Sequence, residues 1–209
     1  MTNKRHPSKP RPTNKRSANS LRIIGGRWRG RKLTFADSDG LRPTGDRIRE
    51  TLFNWLQGDI AGARCLDLFS GAGALGFEAA SRGAAIVTMI EYSAPVATQL
   101  RQNEQLLKSD NTQVIHDDAL RWLQHELANS NELDYNIILL DPPFAGELLQ
   151  ESLDALAQPA KLKINTLIYL EMEKSSNFQV PAHWQQLKAK TAGQVSYYLY
   201  QNNAKPVNN

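Results

Sequence analysis

The chain of 209 residues holds a single cysteine, Cys65. One thiol excludes an internal disulfide framework and suits a reducing compartment, so a cytoplasmic protein is expected. Cys65 lies within an apolar run and reads as a small core residue rather than a nucleophile. No run of about 18–20 apolar residues is present to span a bilayer, and no membrane partner is expected. The basic N-terminus lacks the apolar stretch of a secretory signal. The four histidines, His6, His116, His125 and His183, are scattered without ligand spacing, so neither a metal site nor a catalytic histidine is expected. A chain of this length makes one domain with room for a sizeable core, and a monomer is the default.

Acidic residues are scarce only at the start of the chain. Residues 1–49 carry 14 Lys/Arg against 3 Asp/Glu, a balance of +11, while residues 50–209 carry 11 against 18, a balance of −7. The basicity therefore belongs to an N-terminal arm and points to nucleic-acid phosphates. Residues 1–20 are Pro, Lys, Asn and Ser with almost nothing to bury, and read as a disordered basic tail. Residues 21–58 read as an RNA-binding extension. In it, strands at Leu21–Ile24 and Arg31–Phe35 form a hairpin, and Thr44 caps a helix from Asp46 to Gln57 that ends at Gly58. Arg27, Arg29, Arg31 and Lys32, with Trp28 as an interleaved stacking group, are the candidate RNA contacts. The segment Arg42, Thr44, Asp46, Arg47, Arg49 fits two readings, a charged helix start or a clamp over cofactor or RNA; Arg42 and Arg47 are the candidates for the second. Removing residues 1–35 is expected to weaken RNA binding in a salt-dependent way and to spare cofactor binding.

From Ala63 the pattern alternates strand and helix: 63–69, 74–82, 85–91, 94–107, 112–116, 118–128, 135–140, 147–157 and 165–172. A late run from Gln194 to Gln201 reads as a last strand. That alternation predicts an α/β fold with a mainly parallel sheet wrapped by helices, over residues 59–201, with 202–209 as a C-terminal tail. Two stretches carry the chemistry. In Cys65-Leu66-Asp67-Leu68-Phe69-Ser70-Gly71-Ala72-Gly73-Ala74-Leu75-Gly76 a strand runs into a glycine turn that opens a helix. Gly71, Gly73 and Gly76 fit G-x-G-x-x-G, and Glu91 ends the next strand, placed for ribose hydroxyls. The fingerprint indicates a nucleoside-containing cofactor without choosing between NAD and S-adenosylmethionine. Asp67 inside strand one favours the latter, because an acid there reaches a cationic amino group. His116-Asp117-Asp118-Ala119 offers a side chain to an adenine amine after strand three. Finally Asp141-Pro142-Pro143-Phe144 leaves the apolar run Ile137-Ile138-Leu139-Leu140 as a rigid corner holding an acid, free carbonyls and a ring.

A strand-one acid, Gly-x-Gly, acids after strands two and three and then D-P-P-F resemble the class I methyltransferases that act on exocyclic or amide nitrogens. The stretches Ile23-Ile24-Gly25-Gly26-Arg27-Trp28-Arg29-Gly30-Arg31-Lys32-Leu33 and Leu41-Arg42-Pro43-Thr44-Gly45-Asp46-Arg47-Ile48-Arg49-Glu50-Thr51-Leu52-Phe53-Asn54-Trp55-Leu56 resemble one bacterial family more narrowly, the small-subunit rRNA methyltransferase D family. The similarity runs from about Leu21 to Gln201. It implies a Rossmann-like, seven-stranded sheet with the last strand antiparallel. It also implies methylation of N2 of a guanine in 16S rRNA, within a partly assembled small subunit, with S-adenosylmethionine as cofactor.

On that resemblance Asp67, Phe69, Ser70, Gly71, Gly73, Glu91 and Asp118 bind cofactor, with Asp117 competing for the adenine role. Asp141, Pro142 and Phe144 form the catalytic corner. Asp141 and the Pro142 carbonyl accept the two N–H groups of N2, and Phe144 stacks on the base. The alternatives are a DNA adenine-N6 or protein glutamine acceptor, an NAD-dependent oxidoreductase, and a non-catalytic RNA-binding assembly factor.

Overall fold

The strand with apolar residues on both faces becomes the middle of the sheet. In the computed structural model, which describes residues 19–35, 44–143, 147–158 and 161–204, all four residues of Ile137–Leu140 are buried. The N-terminal elements are β1 (Ser20–Arg22), a single 3-10 turn (Gly26–Trp28), β2 (Lys32–Thr34) and α1 (Asp46–Trp55). Next come β3 (Arg64–Asp67), α2 (Ala74–Ser81), β4 (Ile86–Glu91), α3 (Ala94–Leu107), β5 (Thr112–His116) and α4 (Ala119–Asn129). The rest are β6 (Ile137–Leu140), α5 (Glu147–Leu156), β7 (Leu167–Glu173), β8 (Trp184–Ala192) and β9 (Val195–Asn202).

Seven strands form one sheet in the order β5-β4-β3-β6-β7-β9-β8. β3 to β7 are parallel neighbours, and β9 runs antiparallel between β7 and β8. The α/β class is as the strand–helix alternation predicts, and the seven strands with an antiparallel last strand are as the family resemblance implies. The strand order reverses at β3, whose parallel neighbours are β4 and β6, and such a switch is where open α/β sheets bind ligands. β8 is the strand that pattern reading does not locate. Only Trp184 of its nine residues is buried, and its Gln185, Gln186, Lys188 and Lys190 are exposed. An edge strand of this composition carries no alternation to read, and its lysines guard the edge.

The sheet separates two apolar layers, because alternate side chains of a strand point to opposite faces. Ile137 and Leu139 pack with Cys65, Met89, α1, α2, α3 and the hairpin. Ile138 and Leu140 pack with α4 and α5 through Trp122, Leu123, Leu153 and Leu156. Cys65 is fully buried and its thiol is pushed up to about 12 by that burial, which leaves it inert. α2 closes with Ala84 N–H on the Ala79 carbonyl and Gly83 N–H on that of Ala80, a Schellman arrangement with Gly83 in the left-handed region.

β1 and β2 pair antiparallel through Ser20↔Thr34, Leu21↔Leu33 and Arg22↔Lys32. This hairpin is not an appendage. Leu21, Ile23 and Leu33 are buried in the same cluster as the sheet, so residues 1–35 cannot be removed without opening that core. The expectation that such a deletion spares cofactor binding is therefore corrected. Among the described residues no helix is long and apolar enough to cross a membrane, and no group of acidic, histidine or cysteine residues is placed to hold a metal.

Candidate functional site

The carboxyl ends of β3, β4 and β6 bring together the residues that the sequence singles out. Asp67 closes β3 and is almost fully buried. Its Oδ2 accepts the Gly76 N–H at 2.9 Å, while its Oδ1 is buried without a partner. Burial, helped by the charge of Asp141 and opposed by the Gly76 N–H, pushes the Asp67 carboxyl up to about 7. A buried acceptor with no donor is a vacant half of a hydrogen bond. It fits an ammonium group.

The turn that follows is built around that acid. Ser70 is buried and donates its hydroxyl to the Asp67 carbonyl at 3.0 Å, so it braces the turn. Phe69 is half-buried against the α4 layer. Gly73 caps α2 in the left-handed region, φ +76°, where a Cβ would also come within 2.6 Å of the Phe77 ring; a side chain is excluded on both counts. The Gly71 N–H donates to Glu91 Oε2 at 2.9 Å, and the Ser93 N–H to Oε1 at 2.7 Å. Glu91 is raised by burial against these two donors. Each of its oxygens keeps a second lone pair, which fits a pair of ribose hydroxyls.

Asp117 and Asp118 both bond Arg121, through different groups. Arg121 Nε donates to Asp117 Oδ1 at 2.7 Å, and the guanidinium holds the Asp117 carboxyl low. Asp118 caps α4, its Oδ1 accepting the Arg121 N–H at 2.9 Å.

Asp141 follows β6 directly, with Pro142 buried behind it. Its Oδ2 accepts the Thr44 hydroxyl at 2.8 Å, across 97 positions of sequence. Thr44 is therefore not the helix cap: that position belongs to Gly45, with no side-chain cap bond. Sequence reasoning missed this contact because a cap and a long-range donor look alike in one dimension. Burial raises the Asp141 carboxyl, against the Thr44 donor. Phe144 and Arg42 lie outside the described residues.

The extension is locked to α2 through a residue that the sequence reading passed over. Glu78 is fully buried and accepts the Ile24 and Gly25 N–H groups, each at 2.8 Å, and Arg82 Nε at 2.6 Å. Arg49 Nη1 lies 3.5 Å away, and its Nη2 bonds Asp46 and the Arg22 carbonyl. Arg49 is thus a buried structural residue, not part of a solvated helix start. Gly26, φ +73°, sits so close to α2 that a Cβ would meet the Ser81 carbonyl oxygen at 1.8 Å. A lone acid in the apolar helix Ala74-Leu75-Gly76-Phe77-Glu78-Ala79-Ala80-Ser81 was the available signal.

The candidate RNA residues divide. The five basic ones among the described residues are all exposed, and Arg29, Lys32 and Arg47 make no side-chain bond to the described residues. Arg27 bonds Asp110 at 2.8 Å and lies 4.2 Å over the Trp28 ring, and Arg31 donates to the Leu106 carbonyl at 3.0 Å. Trp28 is 7% exposed, with its backbone N–H on Ser81 Oγ and Arg27 covering the ring's face. The ring is spent on the core, so it is withdrawn as a base-stacking candidate.

Comparison with known proteins agrees with this arrangement. The family described as Conserved hypothetical protein 95 matches residues 21–201. Ribosomal RNA small subunit methyltransferase D of Haemophilus influenzae is 48% identical, over 87% of this chain and 94% of that protein. The Escherichia coli protein of the same name is 46% identical, over 91% and 94%. The solved structure of Escherichia coli yhhF superposes with a TM-score of 0.80 at 45% identity, covering 90% of this chain and all of that one. An RNA methyltransferase from Salinibacter ruber in complex with S-adenosylhomocysteine shares the fold, with a TM-score of 0.60 at 15% identity over 80% of this chain and 98% of that one.

Proposed function

The chain belongs to the ribosomal RNA small subunit methyltransferase D family, and on that premise we propose that it methylates the exocyclic N2 of a guanine in 16S rRNA. S-adenosylmethionine supplies an electrophilic methyl group on a positive sulfonium. The observation that carries the reading is the buried, partnerless Oδ1 of Asp67 at the mouth of the glycine turn. That oxygen would hold the cofactor's ammonium, Glu91 its ribose hydroxyls and Asp118 its adenine amine. Asp117 is left to its Arg121 partner. Phe69, Ser70, Gly71 and Gly73 shape the turn.

Guanine N2 is a weak nucleophile because its lone pair is delocalised into the ring. Asp141 accepts one N2–H on the oxygen that Thr44 leaves open, and the Pro142 carbonyl accepts the other. Two acceptors favour a more pyramidal nitrogen and hold it in line for transfer. Orientation of this kind is worth roughly 7–11 kcal/mol at most. Phe144 completes the corner as the stacking ring, which requires the base to leave its own stack. Once methylated by the cofactor, the nitrogen would be acidic, and Asp141 is placed to take its proton. The raised Asp141 carboxyl suits that task.

Arg29, Lys32 and Arg47 carry the phosphate contacts of the extension, with residues 1–20 as a further basic arm. The substrate is a partly assembled small subunit, met by a cytoplasmic monomer. The test is transfer from labelled S-adenosylmethionine to under-modified small subunits and to naked 16S rRNA, with the labelled nucleoside identified after digestion. Label appears on N2-methylguanosine, preferentially from subunits. Asp141→Ala lowers the single-turnover rate on the order of 100-fold, as loss of positioning does, and keeps cofactor affinity. Replacing Arg29, Lys32 and Arg47 together by alanine reduces the salt slope of RNA binding by roughly 2–3. Label on adenine or on a protein glutamine would overturn the acceptor.

A further inference from the structure

β7 carries an acid that the mechanism above does not use. Glu171 is 3% exposed, in the otherwise apolar run Leu167-Ile168-Tyr169-Leu170-Glu171-Met172. β6 and β7 are parallel neighbours in the register Leu139↔Tyr169 and Leu140↔Leu170. One step beyond that ladder puts Glu171 level with Asp141, on the same face of the sheet. Asp67 pairs with Leu139 in turn, so three carboxylates line one face at the ends of three adjacent strands. On the far side Glu171 pairs in register with Tyr197 of β9, whose hydroxyl is buried without a partner.

We infer that Glu171 is a positioning residue for the transfer: it stays neutral beside Asp141, so that Asp141 carries the single negative charge at the acceptor amine. The inference rests on Asp141 as the acceptor of N2–H. In the cofactor-free protein, the buried Glu171 and the half-buried Asp141 beside it do not both ionise without a cation to balance them. Among the described residues, the titratable groups acting on this row are Asp67, Asp141, Glu91, Tyr169 and Tyr197, and no lysine, arginine or histidine is among them.

Geometry decides which acid keeps the proton. Asp141 sits at the open strand end and receives the Thr44 hydroxyl. Glu171 lies deeper and receives one donor, the Tyr169 phenol at 2.7 Å on Oε2. Burial raises both; Asp141 is only half-buried and keeps water within reach, whereas Glu171 is enclosed, so Asp141 is the one that ionises first. A neutral Glu171 keeps the proton demand at Asp141 low enough for it to be an anion at neutral pH. Above the Glu171 titration a second charge enters the corner and the optimum is lost. The pair titrates as a unit with two macroscopic steps, one on each limb of the pH profile.

The experiment is the pH profile of single-turnover methyl transfer in the full-length protein, for wild type, Glu171→Gln and Tyr169→Phe. Glu171→Gln, which fixes the neutral state, keeps the acid limb in place and removes the alkaline limb. Tyr169→Phe removes the donor that favours the Glu171 anion, so it moves the alkaline limb upward and leaves the acid limb alone. If Glu171→Gln moves the acid limb to lower pH, Glu171 is an anion at neutral pH and the inference fails. It fails equally if both variants leave both limbs in place.

Carboxyl carbon-13 titration of the cofactor-free protein reads the proton without any turnover. The Glu171 signal holds its protonated shift through the range in which the Asp141 signal titrates. Co-titration of the two, or Glu171 first, overturns the inference. Transfer that survives Asp141→Ala sinks the acceptor assignment and leaves the carbon-13 result standing by itself.

Discussion

Two buried acids of this molecule, Glu78 on α2 and Asp67 at the end of β3, have opposite surroundings. Glu78 is surrounded by donors: two backbone N–H groups of the extension, the Arg82 guanidinium, and Arg49 at the edge of reach. Asp67 has the Gly76 N–H on Oδ2, with the Phe69 N–H also favouring its anion, no cationic partner, and an Oδ1 that makes no hydrogen bond. Burying a charge is tolerated only when it is paired and hydrogen-bonded. The complete shell around Glu78 therefore marks an architectural joint, which fastens the hairpin and α1 to the catalytic sheet. The incomplete shell around Asp67 is where the proposed function puts the cofactor's ammonium.

The largest effect comes from breaking the joint. Glu78→Ala leaves Arg49, 1% exposed, without its buried counter-charge and frees the Ile24 and Gly25 N–H groups. Removing one partner of a buried pair costs about 3–5 kcal/mol. Urea denaturation of the variant should show that loss as a lower midpoint. Limited proteolysis should cut first within the hairpin, because it loses its anchor before the sheet melts. A loss below about 1 kcal/mol, the level of an ordinary hydrogen bond, would show that apolar packing of Leu21, Ile23 and Leu33 alone holds the extension.

Opening the other half of the comparison gives a smaller, pH-dependent effect. Asp67 is raised in the folded state to about 7, so the folded protein holds a proton that the unfolded chain releases near 4. The folded state then binds more protons than the unfolded one between those values, and stability falls as pH rises through that window. Cofactor-free wild type should lose several degrees of Tm over that range, on the scale of a few kcal/mol. Asp67→Asn should flatten its share of the decline. The same variant should weaken S-adenosylmethionine binding by roughly 10–100-fold, the worth of a charge-assisted hydrogen bond. A flatter stability curve with unchanged affinity would remove the ammonium from this oxygen.

What the sequence shows of this division follows from periodicity. Ile137-Ile138-Leu139-Leu140, stopped by Pro142 and Pro143, reads as a strand buried on both sides, and the glycine turn after Asp67 announces its own backbone. Residues that act locally, such as Glu91 at the end of β4 and Asp118 before α4, are placed by those elements. Residues that act across the fold are not. Thr44 meets Asp141 over 97 positions. Glu78 meets Ile24 over 54, and neither pairing leaves a period to detect. β8 stays hidden because an edge strand with one buried residue has no alternation. Trp28 misleads because arginines beside an aromatic suggest stacking on bases, whereas here Arg27 stacks on the ring and closes it from solvent.

The finest test concerns the one bond that spans both regions. Thr44 comes from the extension that Glu78 anchors, and its hydroxyl ends on the acid that the ligand site needs. Thr44→Val keeps the shape and removes the donor. Stability should change by about 1 kcal/mol, the net worth of one hydrogen bond, and cofactor affinity should hold, since Asp67, Glu91 and Asp118 are untouched. Asp141 loses the group that opposes its upward shift, so the acid limb of the transfer profile should move to higher pH. At neutral pH the rate should fall by roughly tenfold or less, the equivalent of about 1.4 kcal/mol. An acid limb that stays in place would mean that the extension fixes the position of Asp141 without tuning its charge. The joint and the site would then be coupled through shape alone.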